Sequence, residues 1–122
     1  LRDADDPLGD ALAAVEPGAP SELLDACRPV PDGIDEATLA SSGYVLHTLQ
    51  TGLYHGLTAP NPEAAIVRAV TMGDDTDTVG AVTGAIAGAR FGASALPARW
   101  LSTLDSSDEL RALATRLAAA DA

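Results

Sequence analysis

The chain has 122 residues, of which 18 are acidic and seven basic, so its formal net charge is −11. This length is enough for one domain with its own core, and the acidic balance excludes the basic surface that nucleic-acid backbones require. The single cysteine, Cys27, cannot form a disulfide within the chain, which fits a reducing, cytoplasmic compartment. No apolar run reaches the about 18 to 20 residues of a membrane span, so we expect neither nucleic acid nor a membrane among the partners.

Apolar spacing and helix-breaking residues predict helices joined by short loops, and no segment alternates as a half-buried strand would. The first predicted helix has Asp6 as its cap and Pro7 at its first position, where a proline is tolerated. The predicted helices cover residues 7–16, 21–28, 42–57, 61–72, 76–90 and 97–100, with a last one from residue 106.

Four of these helices carry apolar residues at helical spacing, which predicts the faces that turn toward a core. These residues are Leu8, Leu12 and Val15; Leu46, Leu49, Leu53 and Leu57; Ile66, Ala69 and Val70; and Leu110, Leu113 and Leu117. We therefore expect an all-α fold, arranged as a compact orthogonal helical bundle.

The predicted helix over residues 76–90 carries a glycine on one face at every fourth position, at Gly80, Gly84 and Gly88. Each glycine costs about 1 kcal/mol of helix propensity relative to alanine. Because a bare face is useful where another chain segment comes close, we expect these glycines to pack against the backbone of another helix.

An acidic turn, Gly73 to Thr78, precedes that helix. Asp75, Asp77 and Thr78 offer two carboxylates and a hydroxyl, the oxygen ligands that Mg²⁺ and Ca²⁺ prefer. Side chains two positions apart diverge within a helix, so these can converge only at its start, where the backbone is still turning. The alternative is that Asp75 or Thr76 caps the helix and that the other acidic residues are solvated.

A second candidate site is the turn Ser41-Ser42-Gly43-Tyr44. Serine hydroxyls and a glycine amide at a helix N-terminus can hold phosphate or ribose oxygens, and a tyrosine ring can stack on a base. The alternative is an ordinary helix cap followed by a core tyrosine.

His47 and His55 follow in the same predicted helix. Their separation of eight residues is larger than the spacing of helical metal-binding pairs. We therefore expect both to be structural or surface residues.

Taken together, these segments resemble the ADP-ribosylglycohydrolases, all-helical hydrolases related to dinitrogenase reductase-activating glycohydrolase. Residues 72–100, MGDDTDTVGAVTGAIAGARFGASALPARW, are similar to the family's pattern of G-G-D-T-D-T, an Ala/Gly-rich helix, a short loop, I-P and W. Residues 41–57 and 61–70 are similar to its two preceding helices, so the resemblance covers residues 41–104. One departure is Asp74, which stands where the family usually has glycine.

This resemblance implies a Mg²⁺-dependent hydrolase that removes ADP-ribose from a modified protein or small molecule. It implies a binuclear metal centre to which Asp75, Asp77 and Thr78 supply half of the ligands. It also implies that the Ser41 to Tyr44 turn lies beside bound ADP-ribose, with the aromatic ring near the adenine end.

The family's N-terminal half, with a Thr-Asp-Asp metal motif and the catalytic acidic residue, has no counterpart in residues 1–122. We therefore expect a single domain or C-terminal fragment of a larger ADP-ribosylglycohydrolase-like domain, inactive when isolated. The remainder would come from the same protein or from a second chain that completes the fold.

Two other functions remain open. A non-catalytic fragment or degenerate relative could bind a cation, an ADP-ribose-like ligand or a partner. The run Asp75-Thr76-Asp77-Thr78-Val79 also fits the nucleophile motif of haloacid dehalogenase-like phosphatases, in which the first aspartate attacks phosphorus. That motif normally ends a buried strand, however, and the chain contains no lysine to hold the phosphate.

Overall fold

The computed structural model describes residues 5–120, and that range contains seven α-helices and no strand. The helices are α1 (Pro7–Val15), α2 (Ser21–Cys27), α3 (Val45–Thr58), α4 (Pro62–Val70), α5 (Thr76–Phe91), α6 (Ala98–Leu101) and α7 (Ser107–Ala120). Single 3-10 turns occupy Glu36–Thr38 and Ala93–Ala95. The predicted all-α class is confirmed. Within residues 5–120, none of the helices combines the length and the apolar character that crossing a bilayer requires.

Side-chain caps followed by a proline mark the starts of α1 and α4. The carboxylate of Asp6 accepts a hydrogen bond from the N–H of Gly9 at 2.9 Å, and Pro7 occupies the first turn of α1 as predicted. The predicted bounds differ most at the start of α3, which begins at Val45, and at the end of α4, which stops at Val70. The segments left outside these two helices are those that carry the candidate site.

Helix α5 is central to the packing, because it contacts both α3 and α4 extensively, and α3 contacts α2 and α4 in turn. The buried face of α5 is formed by Val79, Thr83 and Ala87, which lie one turn apart. The Thr83 hydroxyl donates to the Val79 carbonyl at 2.8 Å, so this buried polar group is satisfied inside the helix. Ala87 also forms a buried cluster with Ala59 and Ala65, so the core is built from small side chains.

Helix α3 packs closely on α5 through two glycines. A Cβ atom on Gly56 would lie 2.5 Å from Cγ2 and 2.9 Å from Cβ of Ile86. A Cβ atom on Gly52 would lie 2.7 Å from Cγ1 of Val82 and 3.4 Å from the backbone nitrogen of Thr83. The missing side chains therefore permit the close approach of the two helices.

The buried face of α3 is not the leucine face that the sequence predicts. The buried residues are Thr48, Thr51, Gly52, His55 and Gly56. The predicted core residues Leu46, Leu49, Leu53 and Leu57 are only partly buried. The prediction was wrong because close packing on α5 selects small side chains, whereas the leucines flank the contact.

The prediction for the glycine face of α5 was also wrong in part. A Cβ atom on Gly80 would meet Cγ1 of Val70 at 2.7 Å, and one on Gly84 would lie 3.8 Å from Cδ1 of Ile66. These two glycines therefore face side chains of α4, not the backbone of a helix. At Gly88, apart from the adjacent part of α5 itself, no atom of the described residues lies within 4 Å of the Cβ position.

The terminal helices contribute no buried residue to the described core. Leu110, Leu113 and Leu117, the predicted core face of α7, are 50%, 42% and 70% exposed. Val15 of the predicted α1 face is 49% exposed. The periodic pattern identified the apolar faces of these helices correctly. The predicted burial of the α7 face was wrong, because no element within residues 5–120 covers it.

His55 is buried in α3 beneath the acidic turn. Its Nε2 atom lies 3.4 Å from the sulfur of Met72, the residue that precedes Gly73. Its Nδ1 atom has no hydrogen-bond partner in the part of the chain that the structure describes. Burial lowers the pKa of the His55 imidazole, a shift that the Glu36 carboxylate opposes and the Arg68 guanidinium reinforces. The fold therefore favours the neutral form of the His55 imidazole.

We expect Gly56→Ala to lower the free energy of unfolding by about 1–3 kcal/mol, because the new methyl group would overlap Ile86 and push α3 away from α5. Gly88→Ala is the matched control, at a helical position where the new methyl group would meet no neighbouring element within 4 Å. It should raise the free energy of unfolding by about 0.5–1 kcal/mol through helix propensity. Urea unfolding followed by circular dichroism measures both, and equal effects would contradict this packing.

The buried neutral imidazole of His55 predicts that stability declines as the pH falls below about 6.5. In that range the unfolded chain binds a proton before the folded chain does, because the pKa of the folded group is the lower of the two. The stabilisation is fully present above the unfolded pKa and is lost as the pH falls toward the folded one. Urea unfolding at several pH values measures the slope, and His55→Gln should flatten it. An unchanged slope in this variant would assign the pH dependence to other groups.

Candidate functional site

The acidic turn between α4 and α5 has an unusual backbone. Gly73 has a φ of 86° and Asp74 a φ of 63°, both in the left-handed region. Glycine adopts this region freely, and aspartate tolerates it better than most residues do. The turn geometry therefore suits the glycine of the family pattern, and Asp74 is accommodated in the same conformation.

The three predicted metal ligands lie together at the start of α5. Asp75 occupies the N-cap position, but its side chain caps no backbone N–H. Its Oδ1 atom instead accepts a hydrogen bond from the Thr78 hydroxyl at 2.8 Å. The pKa of the Asp77 carboxyl is lowered, first by the Asp75 side chain and then by the N–H groups of Thr78 and Asp77. The interpretation of Asp75 as a simple side-chain cap therefore does not describe this turn.

The Ser41 to Tyr44 turn lies directly against the acidic turn. The Ser41 carbonyl accepts a hydrogen bond from the N–H of Asp75 at 2.9 Å, and the buried Ser41 hydroxyl donates to the Gly73 carbonyl at 2.7 Å. A Cβ atom on Gly43 would lie 2.8 Å from Oδ2 of Asp75. The two candidate sites of the sequence are therefore one continuous surface at the starts of α3 and α5.

Two buried threonines of α3 hold this surface in place. The Thr51 hydroxyl donates to the Ala40 carbonyl at 2.8 Å, and the Thr48 hydroxyl donates to the Ser42 carbonyl at 3.3 Å. Sequence reasoning missed both, because they look like interruptions of an apolar pattern. Their place on the glycine-bearing face of the helix, just after a turn of small residues, is the signal that could have found them.

The side chains of Ser42 and Tyr44, and that of His47 beside them, are partly or fully exposed and therefore available to a ligand. Tyr44 is 55% exposed at the N-cap position of α3, so the alternative of a core tyrosine was wrong. The Ser42 hydroxyl lies 2.7 Å from Nδ1 of His47 and accepts a long hydrogen bond of 3.4 Å from the N–H of Tyr44. The rings of Tyr44 and His47 meet edge to face, with centroids 5.1 Å apart at 88°.

Asp75, Asp77 and Thr78 suit a hard cation by donor type, since carboxylate and hydroxyl oxygens are its preferred ligands. The Thr78 hydroxyl gives its hydrogen to Asp75, which leaves its oxygen lone pairs free for a cation. Across residues 5–120, however, no group of three or more His, Cys, Asp or Glu side chains could hold a metal ion. The turn can therefore supply only part of a coordination shell.

The structure removes the context that a dehalogenase-like phosphatase motif requires. The element before Asp75 is helix α4, which ends at Val70, and residues 71–75 form an irregular turn. No buried strand leads into the motif within the described range. The phosphatase alternative is therefore contradicted.

Comparison with known proteins gives matches to ADP-ribosyl hydrolases. The chain is 40% identical over 79 residues to the ADP-ribosylarginine hydrolase Tri1 of Serratia proteamaculans, a match covering 65% of the chain and 22% of that protein. It is 38% identical over 65 residues to the ADP-ribosyl-[dinitrogen reductase] glycohydrolase of Rhodospirillum rubrum, covering 53% of the chain and 22% of that protein. It is 40% identical over 55 residues to the ADP-ribosylhydrolase ARH3 of Danio rerio, covering 45% of the chain and 15% of that protein. The matches thus span 15–22% of the length of these relatives, and no solved structure matches the chain.

The match to a family model extends further than these pairwise matches. The model described as ADP-ribosylglycohydrolase matches residues 1–122. The all-helical fold of the described residues agrees with the resemblance seen in the sequence. The chain therefore belongs to the ADP-ribosylglycohydrolase family.

Proposed function

We propose that the protein containing these residues hydrolyses the bond between ADP-ribose and a modified protein or small molecule. Two of the relatives are ADP-ribosyl hydrolases whose names specify arginine or dinitrogen reductase. The observation that carries the proposal is a pair of hydrogen bonds, one donated by the N–H of Asp75 to the Ser41 carbonyl and one donated by the Ser41 hydroxyl to the Gly73 carbonyl. They join a surface suited to ADP-ribose to a surface suited to a cation.

Ser42, Gly43 and Tyr44 contact ADP-ribose in this proposal. The exposed Tyr44 ring stacks on the adenine, while the Ser42 hydroxyl and the Gly43 amide bind ribose or phosphate oxygens. Ser41 belongs to the same predicted set, but its hydroxyl is buried and already bonded to Gly73. Its part is to hold the acidic turn beside the substrate.

Asp75, Asp77 and Thr78 hold Mg²⁺ in the proposed site, as half of the ligands of a binuclear centre. The pyrophosphate of ADP-ribose is anionic, and it would lie beside three carboxylates, those of Asp74, Asp75 and Asp77. When bound, Mg²⁺ would supply the opposing positive charge and polarise a water molecule for attack at the anomeric carbon. Thr78 keeps the Asp75 carboxylate oriented through its hydroxyl.

Proton transfer falls to an acidic residue of the parent protein, and we assign no general base to the described residues. A non-catalytic module that binds an ADP-ribose-like ligand or a partner is the second candidate. The observation that favours it is the absence, in residues 5–120, of a group of three or more His, Cys, Asp or Glu side chains that could hold a metal ion. Turnover by the full-length protein separates the two candidates.

Removing one ligand charge should abolish turnover without unfolding the protein. We expect Asp75→Asn and Asp77→Asn to lower kcat by at least about 100-fold in the full-length protein, because each replacement keeps the shape but removes a negative charge beside the cation. Release of ADP-ribose from a modified protein measures the rate, and circular dichroism checks helicity.

Asp74→Asn is the matched control for these two variants. Asparagine adopts the positive φ of 63° at least as readily as aspartate does, and residue 74 is not a proposed ligand. This variant should therefore retain most of the activity. Full activity in Asp75→Asn and Asp77→Asn would remove the metal site from this turn.

The isolated 122-residue chain should bind Mg²⁺ weakly. Three protein ligands from one turn leave the rest of an octahedral shell to water, so we expect a Kd above about 0.1 mM. Calorimetric titration measures the affinity, with Asp75→Asn as the variant that should lose the signal. Sub-micromolar binding would show that the site is complete without further residues.

A further inference from the structure

We propose that His47 is a positioning residue that orients both Ser42 and Tyr44 for ADP-ribose. This inference rests on the proposed function, and it adds a residue that neither the acidic turn nor the Ser41 to Tyr44 turn contains. His47 lies in the first turn of α3, whereas Ser42 and Tyr44 lie in the segment before that helix.

The contacts of His47 join the two side chains that are proposed to touch the ligand. Its Nδ1 atom lies 2.7 Å from the Ser42 hydroxyl, which is a short hydrogen-bond distance. Its ring meets the ring of Tyr44 edge to face, the geometry that aromatic pairs favour. One imidazole therefore contacts both the polar and the aromatic part of the surface.

His47 is exposed, so its contacts are not those of a core residue that merely satisfies its own polar atoms. Tyr44 is 55% exposed, and a ring this open would otherwise be free to change rotamer. A serine hydroxyl likewise rotates unless a partner holds it. Ordering both groups before the ligand arrives reduces the entropy that binding must overcome.

The helix that carries His47 is itself held rigidly. Gly52 and Gly56 pack α3 closely on α5, and Thr48 bonds the carbonyl of Ser42 from the same helix. The imidazole is therefore presented from a fixed element to two residues of a loop. The carboxylate turn has other supports, since Asp75 is bonded by Ser41 and Thr78. Loss of His47 should consequently weaken substrate binding and leave the chemical step intact.

Variants of the full-length protein separate the two contacts. His47→Asn keeps a polar atom near the Nδ1 position and loses the ring, whereas His47→Phe keeps the aromatic edge and loses the hydrogen bond. His47→Ala loses both. Thr58→Ala, at the other end of α3, is the control, because it also removes a side-chain hydrogen bond from α3, the one that the Thr58 hydroxyl donates to the Tyr54 carbonyl.

Calorimetric titration with ADP-ribose and steady-state hydrolysis are the measurements. We expect His47→Ala to raise Kd and KM roughly ten-fold with kcat within about two-fold, from the loss of one hydrogen bond and of preorganisation. His47→Asn and His47→Phe should each restore part of the affinity, and Thr58→Ala should match the wild type. Circular dichroism checks the fold, and if His47→Ala loses helicity, the other two His47 variants carry the test.

Three outcomes would overturn the inference. If the wild type binds ADP-ribose and all three His47 variants bind it equally well, His47 has no positioning role and the proposed function stands. If His47→Ala lowers kcat and leaves KM unchanged, the residue acts in the chemical step instead. If the wild type neither binds nor releases ADP-ribose, the proposed function itself fails, and the inference fails with it.

Discussion

The close packing of α3 on α5 is the constraint on which the candidate site depends. Gly52 and Gly56 place no side chain of α3 against Val82 and Ile86 of α5, so the two helices come near enough for the segments before them to touch. Those segments carry the hydroxyl and aromatic groups in one case and the carboxylates in the other. The hydrogen bonds that Ser41 accepts from the N–H of Asp75 and donates to the Gly73 carbonyl then fix the relative position of the two segments. A larger residue at either glycine would disturb the site without touching any of its side chains.

Buried hydroxyl groups of α3 fix the loop that precedes this helix. Thr48 and Thr51 lie in the α3 face that the fold buries, and each hydroxyl donates to a carbonyl of the loop that precedes the helix. Because a buried hydroxyl or carbonyl without a partner is costly, each bond disfavours any other placement of that loop. Ser41 applies the same constraint between the loop and the acidic turn. The site is thus held by bonds that water cannot easily replace.

The elements and the turn chemistry could be predicted from sequence, because both depend on neighbours along the chain. Asp6, Pro7 and the glycine of the acidic turn mark helix ends locally, and the spacing of Asp75, Asp77 and Thr78 predicts their convergence. Burial could not be predicted in the same way. Leucine spacing in α3 and α7 identified apolar faces, but the partner of a face depends on tertiary packing, which here favoured small residues. The contact between Ser41 and Asp75, 34 positions apart, has no local signal at all.

The electrostatics of the acidic turn explain why it contains more than one carboxylate. The first N–H groups of α5 carry partial positive charge, which favours the Asp77 carboxylate and disfavours a cation at the same place. These amides offset part of the negative charge of a single carboxylate. The pKa of the Asp77 carboxyl is lowered first by the Asp75 side chain and then by the N–H groups of Thr78 and Asp77, so its charged form is favoured. Asp75 adds a second charge, and its side chain caps no amide of the helix. Asp75 is oriented by the Thr78 hydroxyl and not by a backbone N–H. The negative charge of the Asp75 carboxylate therefore stays available to a cation despite the helix dipole.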